Sequence, residues 1–208
     1  MPHSVLPRGR HAAPRDVVEA SQRERLLDAM AAAVAQRGYA QTSVADVLRR
    51  AGVSRRSFYE HFDNKLACFL AAFDAGADLL LATIDAADDP DPIVAAGARV
   101  TAYLQCLQDN PDFARSYLVE VLAAGPEALE RRSQVHRRFA EQIRASHERA
   151  RAVLPELPAL GAHRYAACVG ATDALVSDHL RAHGPDGLPA LGPVVLDVVL
   201  ALLGAPPD

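Results

Sequence analysis

Apolar residues recur along this chain at three- and four-residue intervals, and no clean two-residue alternation appears between turn signals. That period predicts helices. Leu26, Leu27, Met30 and Val34 mark a first buried face, with Ser21 and Glu24 spaced as a capping box and Gly38 as a stop. Ser43 opens a second helix, with Asp46 at the capping-box position and Val44, Val47 and Leu48 on its buried side. Ser54 caps a third, in which Phe58 and Phe62 stand four apart and are expected to pack inward on Val47 and Leu48. Asp63-Asn64 restarts the chain into a long fourth helix carrying Leu66, Phe69, Leu70, Phe73 and Leu80, running to about Ala87.

The run Asp88-Asp89-Pro90-Asp91-Pro92 breaks the pattern and places a proline at the first position of the next helix. Further helices are expected over about 92–109, 111–123, 126–154, 161–183 and 189–204, punctuated by Asn110-Pro111, Gly125-Pro126, Pro155, Pro158 and the Gly184–Gly187 turn. The count is nine helices without an internal repeat. The expected architecture is all-α: a disordered basic arm (1–20), a three-helix helix-turn-helix domain (21–68), and a larger helical domain (69–208).

Composition agrees with the pattern. Half of the residues are hydrophobic and 5% aromatic, with alanine and leucine, both good helix formers, dominant. The three cysteines, Cys68, Cys106 and Cys168, are far apart within apolar helical stretches and read as small buried hydrophobes. No uninterrupted apolar run approaches a bilayer span, and the N-terminus has no apolar leader, so a cytoplasmic protein without a membrane partner is expected. The net charge of −4 hides an asymmetry: residues 1–65 hold 11 Lys and Arg against 7 Asp and Glu, whereas residues 66–208 hold 11 against 19. A basic front and an acidic rear suit a nucleic-acid reader fused to a domain that stays off the phosphates.

The chemistry concentrates in residues 42–66, where two short helices meet at Ala51-Gly52-Val53 and the second is basic and aromatic. The second helix of such a pair is shaped to enter the major groove of DNA. Arg55 and Arg56 fall in its first turn, where a guanidinium can grip guanine O6 and N7 together; with Ser57 they are the candidate base readers. Tyr59, His61 and Lys65 offer a hydroxyl, an imidazole and an ammonium to the backbone. Thr42 and Ser43 place hydroxyls and free N–H groups at the start of the preceding helix, a candidate phosphate site.

Residues 21–69 resemble the DNA-binding domain of the TetR/AcrR family of bacterial transcriptional regulators. The similarity lies in Thr42-Ser43-Val44-Ala45-Asp46-Val47, Ala51-Gly52-Val53-Ser54, Phe58-Tyr59-Glu60-His61-Phe62 and Lys65. The resemblance implies a cytoplasmic homodimer of nine or ten helices per chain. It also implies a repressor released from a palindromic double-stranded DNA operator when a small-molecule effector binds the C-terminal domain. Tyr59, His61 and Lys65 then correspond to phosphate contacts, and Arg55, Arg56 and Ser57 to base contacts. Beyond residue 75 the family is too variable to carry any residue over.

Outside that region the assignments rest on the residues. Pro7-Arg8-Gly9-Arg10 resembles an AT-hook core, which makes Arg8 and Arg10 candidates for a minor-groove arm. An effector pocket would be apolar with a few polar groups, and Tyr103, Cys106, Phe113, Tyr117, Phe139, Cys168 and Thr172 are its candidate walls. The last two helices are apolar over much of their circumference and must bury more than one face. Ala166, Val169, Gly170, Ala174, Val195, Val198, Val199 and Leu202 are the candidate dimer interface. His179 and His183 have a chelating spacing but no evident third ligand, so no metal and no cofactor is expected. The arginines at 131, 132, 137 and 138, interspersed with Glu127, Glu130 and Glu141, read as a solvated face. No nucleophile triad, phosphate loop or zinc-protease motif appears, so no enzyme is expected. Two alternatives stay open: a DNA-bound regulator controlled by a protein partner or by no ligand, and a helical-bundle enzyme or carrier that no longer binds DNA.

Overall fold

A computed structural model describes residues 15–204 of the chain. Among the described residues nine α-helices run in order: α1 (Arg15–Arg37), α2 (Val44–Ala51), α3 (Arg55–His61), α4 (Lys65–Ala86), α5 (Pro92–Asp109), α6 (Pro111–Leu118), α7 (Pro126–Val153), α8 (Ala162–His183) and α9 (Gly192–Leu203). Two short 3₁₀ turns, Glu120–Ala123 and Leu188–Leu191, precede α7 and α9, and the described residues contain no strand. The all-α expectation holds. Arg8 and Arg10 lie outside the described residues.

Local chemistry sets most helix ends. At α2 the Ser43 hydroxyl accepts from the Asp46 N–H at 3.2 Å while the Asp46 carboxylate accepts from the Ser43 N–H at 3.0 Å, a reciprocal capping box. Gly52, at φ 63°, takes the left-handed conformation that closes α2, and its N–H donates to the Leu48 carbonyl at 3.0 Å. Ser54 and Asn64 cap α3 and α4 in the same side-chain manner. The first helix departs from expectation. It starts at Arg15, so Ser21 is an interior residue and residues 15–20 are helix rather than arm. The stretch after Pro14 contains no glycine or proline, and a serine inside a helix costs too little to stop it.

The Ser43 hydrogen bonds, with help from Arg49 and Arg37, hold the Asp46 carboxyl at about 2, below its usual range. A carboxyl depressed on folding stabilises above its ordinary pKa and stops doing so as pH falls through the depressed value. The stability gap between the wild type and Asp46→Ala should therefore be constant near neutrality and vanish toward pH 2. Thermal melts at stepped pH would show it, and a gap that persists at pH 2 would contradict it.

Tertiary packing then fixes the layers. Leu26, Met30 and Val34 of α1 close on Val47, Phe58 and Phe69, all buried. The helix α4 runs from this N-terminal cluster into the second domain, packing on α1, α5, α6 and α7. Its length and mean hydropathy of 1.7 would let it cross a membrane, but Asp74 and Asp78 interrupt it, so no uninterrupted apolar run of that length occurs in it. Here it is a core helix, and Asp74 and Asp78 on it take ion pairs from Arg131 and Arg138 of α7. The arginines of α7 are thus not a solvated face as a group: Arg137 pairs locally with Glu130, but Arg131, Arg132 and Arg138 tie α7 to its neighbours. Sequence proximity to glutamates does not determine which carboxylate a long side chain reaches.

One glycine of α4 is required by close approach. A Cβ added at Gly76 would overlap the Phe113 ring of α6. Gly76→Ala is expected to lose about 1–3 kcal/mol to overpacking, exceeding the ~1 kcal/mol an alanine gains in helix propensity. Urea unfolding should show net destabilisation, with partial recovery when Phe113→Leu is added; a more stable Gly76→Ala protein would contradict the packing.

Candidate functional site

The helix α3 packs mainly on α1 and α2 and leaves one side open. Phe58 is buried beneath it and Phe62, at its C-cap, is nearly so, which fixes α3 on its scaffold. The opposite side presents Arg55 and Arg56, both exposed, and Tyr59, 49% exposed with its ring edge-on to Phe58. Arg56 meets Glu60 at 3.1 Å, but its side chain is 90% exposed, so the pair holds it weakly. The Ser57 hydroxyl lies 3.0 Å from that of Ser54 and the Ser57 N–H donates to the same Ser54 oxygen, so Ser57 belongs to the helix cap as much as to the open face. His61 is half-buried beside Phe62.

The flanking residues divide. Ser43 is exposed at the α2 N-terminus, with the Asp46 carboxylate bonded to its hydroxyl. Thr42 corrects the sequence reading. It is 2% exposed, and its hydroxyl donates to the carbonyls of Gly38 at 2.8 Å and Ala33 at 3.2 Å, capping the end of α1 where no phosphate reaches it. Lys65 donates to the carbonyls of Tyr39 at 2.9 Å and Thr42 at 3.0 Å and lies 4.0 Å from the Tyr39 ring centroid. It therefore clasps the α1–α2 turn, and desolvation lowers its pKa.

The same turn is held from the other side by the second domain. Glu120, in the 3₁₀ turn after α6, accepts from the Tyr39 N–H at 3.0 Å and pairs with Arg115 at 3.7 Å. Ser116 of α6 donates to the Ala31 carbonyl of α1 at 3.2 Å. Removing Glu120 strands a part-buried N–H that was bonded to a charged acceptor. Glu120→Ala is expected to cost about 1–3 kcal/mol in urea unfolding; an unchanged midpoint would show the contact to be incidental.

A cavity of about 350 Å³ opens within the second domain, walled by α5, α7, α8 and α9 and by the loop before α5. Its walls are mostly apolar, with Val100, Phe139, Ile143, Val169, Val195 and Val199 prominent. At one end Asp173 of α8 meets Arg132 of α7 at 2.6 Å and His136 at 3.3 Å. Tyr103 and Tyr117 line the same end, and burial raises both phenol pKa values, with a smaller push from Asp173 on each. Along the wall His147 bonds the Tyr165 hydroxyl at 3.0 Å, and burial lowers its imidazole pKa. Asp88, Asp89, Arg99 and Arg149 also border the cavity.

Residues 26–72 match the family profile described as bacterial regulatory proteins, tetR family. The chain carries the N-terminal domain of the tetR family. The remainder follows the same fold in known structures. A bacterial regulatory protein of the tetR family from Rhodococcus RHA1 is 22% identical, with 89% of this chain and 98% of that one covered and a TM-score of 0.70. The transcriptional regulator FadR from Bacillus subtilis, solved with stearoyl-CoA, is 16% identical over 88% of this chain and 99% of its own, at a TM-score of 0.76. FadR of Bacillus halodurans, a fatty acid degradation regulator, is 18% identical over 86% and 94%, at 0.78. No curated protein matches the chain by sequence. At these identities the structures establish the fold of a tetR-family regulator.

Within that fold the remaining site candidates sort by position. Tyr103, Tyr117, Phe139 and Thr172 line the cavity, whereas Cys106, Phe113 and Cys168 do not. Phe113 is turned toward Gly76 of α4, and the three cysteines are buried core thiols, with burial pushing Cys68 up to about 12 and Cys168 up to about 11. Of the dimer candidates, Ala166, Gly170 and Ala174 form an exposed small-residue row on α8, and Val198 and Leu202 are half-buried on α9. Val195 is corrected: it is 1% exposed and faces the cavity, and Val169 and Val199 line the cavity too. A helix apolar all round gives no sequence signal for which side faces a partner. His179 is bonded to the Asp186 carbonyl at 2.9 Å, and no cluster of three metal-ligating side chains occurs among the described residues. Sequence reading missed Glu120, which carries no local signature, and the Arg132–His136–Asp173 cluster. For the latter the i,i+4 spacing of Arg132 and His136 was the available clue.

Proposed function

We propose that this chain is a sequence-specific DNA-binding transcriptional repressor, with residues 21–68 as reader and 69–208 as the effector-binding and dimerisation domain. The observation that carries the reading is the unpacked face of α3, where Arg55, Arg56 and Tyr59 stand exposed on a scaffold matching the tetR-family profile. Arg55, Arg56 and Ser57 read base edges. Ser43, Tyr59, His61 and Lys65 contact phosphates, Lys65 by turning from the Tyr39 and Thr42 carbonyls.

The chain acts as a homodimer joined through the exposed faces of α8 and α9, which sets two recognition helices on successive major grooves and requires a two-fold-symmetric operator. A small apolar effector enters the cavity and favours the state that no longer matches DNA. It shifts the population only by as much as it prefers that state. The path between the sites is short: Tyr117 lines the cavity, and Glu120, three residues on, bonds the turn before α2. The fold shared with a FadR solved with stearoyl-CoA supports an apolar effector.

Mobility-shift assays on the DNA upstream of the chain's own reading frame test the proposal. A complex that survives competitor DNA and weakens steeply with salt is expected. Its absence, or equal retention of unrelated DNA, would overturn it.

A further inference from the structure

We propose that the cavity takes an elongated apolar molecule whose inner end bears a neutral oxygen group, a ketone, ester or hydroxyl, and that it rejects a carboxylate or an ammonium on the same tail. The inference rests on reading the cavity as an effector site and adds the chemistry of what fills it.

Four helices each deliver one polar side chain to the inner end: Tyr103 from α5, Tyr117 from α6, His136 from α7 and Asp173 from α8. Among the described residues no hydrogen bond reaches the hydroxyl of Tyr103 or Tyr117, although Tyr117 is only 3% exposed. Both hydroxyls open onto the cavity rather than being sealed in the protein, so a molecule inside it can bond to them. The Tyr117 ring is clamped between Phe73, at 4.9 Å, and Phe113, at 5.2 Å, so its hydroxyl is held in place before anything binds. Much of the remaining wall is aliphatic or aromatic and rewards a hydrocarbon body, while Asp88, Asp89, Arg99 and Arg149 border the cavity elsewhere.

Charge selects the head group. Asp173 faces the cavity, while Arg132, its partner at 2.6 Å, does not line it. An incoming carboxylate therefore meets a carboxylate and two tyrosines, with the compensating guanidinium behind. An incoming ammonium finds Asp173 already paired and adds a second buried positive charge beside His136, 3.3 Å from the same carboxylate. At this end both ions lose their hydration without a free counter-charge, because Arg99, which borders the cavity, is paired with Asp88, and Arg149 lies thirteen residues along α7 from His136. A neutral oxygen accepts from the tyrosine hydroxyls, and a ligand hydroxyl can also donate to Asp173.

Calorimetric titration of the full chain at pH 7.5 with 2-nonanone, nonan-1-ol, nonanoate and nonyltrimethylammonium holds the tail constant and varies the head. Both neutral probes should bind at least about tenfold more tightly than either ion, a gap of about 1.4 kcal/mol. Tyr103→Phe and Tyr117→Phe keep the apolar volume and should weaken 2-nonanone about 3- to 10-fold each, the worth of one hydrogen bond. Asp173→Asn should raise the affinity for nonanoate. Ions binding as tightly as the neutral probes, unaffected affinity in both Phe variants, or binding of no probe would each overturn the proposal. Neutral-selective binding without any DNA complex would instead leave it standing and remove the regulator reading.

Discussion

Phe58→Ala is expected to unfold the reader while leaving the second domain folded. Phe58 is fully buried and bridges α3 to the α1–α2 core, with Phe62 at 5.7 Å and Tyr59 at 5.3 Å between ring centroids. Truncating such a residue costs about 3–5 kcal/mol through lost transfer energy and the cavity left behind. A domain whose whole stability is of the order of 5–15 kcal/mol has little left after that loss. The α3 segment has seven residues and makes few tertiary contacts, so Phe62 at its C-cap is the main other anchor. Amide hydrogen exchange should show early loss of protection in α2 and α3, with α7 and α8 still protected. Uniform weakening across both domains would mean that they unfold as one unit.

The second large effect is on recognition. Replacing Arg55 and Arg56 together by alanine should lower the ratio of specific to non-specific DNA affinity by about 1–3 kcal/mol per lost bidentate base contact. Both side chains are exposed and α3 is capped by Ser54, so the double variant should fold as the wild type does. The ratio is the informative quantity, because deleting any two cations weakens binding to every sequence through the phosphates. Fluorescence anisotropy with the upstream duplex and a shuffled duplex of equal length measures it. A fall in both affinities by the same factor would assign the arginines to phosphates rather than bases.

The reader was legible in sequence because its determinants are local. Ser43, Gly52 and Ser54 each act on groups within four residues, so spacing alone identified these caps and the turn. Thr42 escaped that logic: its hydroxyl turns back to the Ala33 carbonyl, nine residues earlier, and becomes part of the α1 terminus. The second domain was legible as helices and little more. Arg132 finds Asp173, Arg138 finds Asp78 and Glu120 finds Tyr39, all across more than forty residues, and no periodicity encodes such pairs. Val195 shows the same limit from the apolar side. It was indistinguishable in pattern from Val198, yet one faces the cavity and the other is half-buried on the flank of α9.

The account holds that α3 of this chain reads a defined DNA sequence, and selection from a pool of random duplexes tests that most directly. Incubating the full-length wild-type protein with the pool, recovering bound duplexes and sequencing them over successive rounds should enrich one two-fold-symmetric site containing guanines. Its half-sites should lie about one helical turn apart, and the Arg55→Ala, Arg56→Ala variant should fail to enrich it. A pool that stays random through the rounds, or a site enriched equally by that variant, would contradict the account.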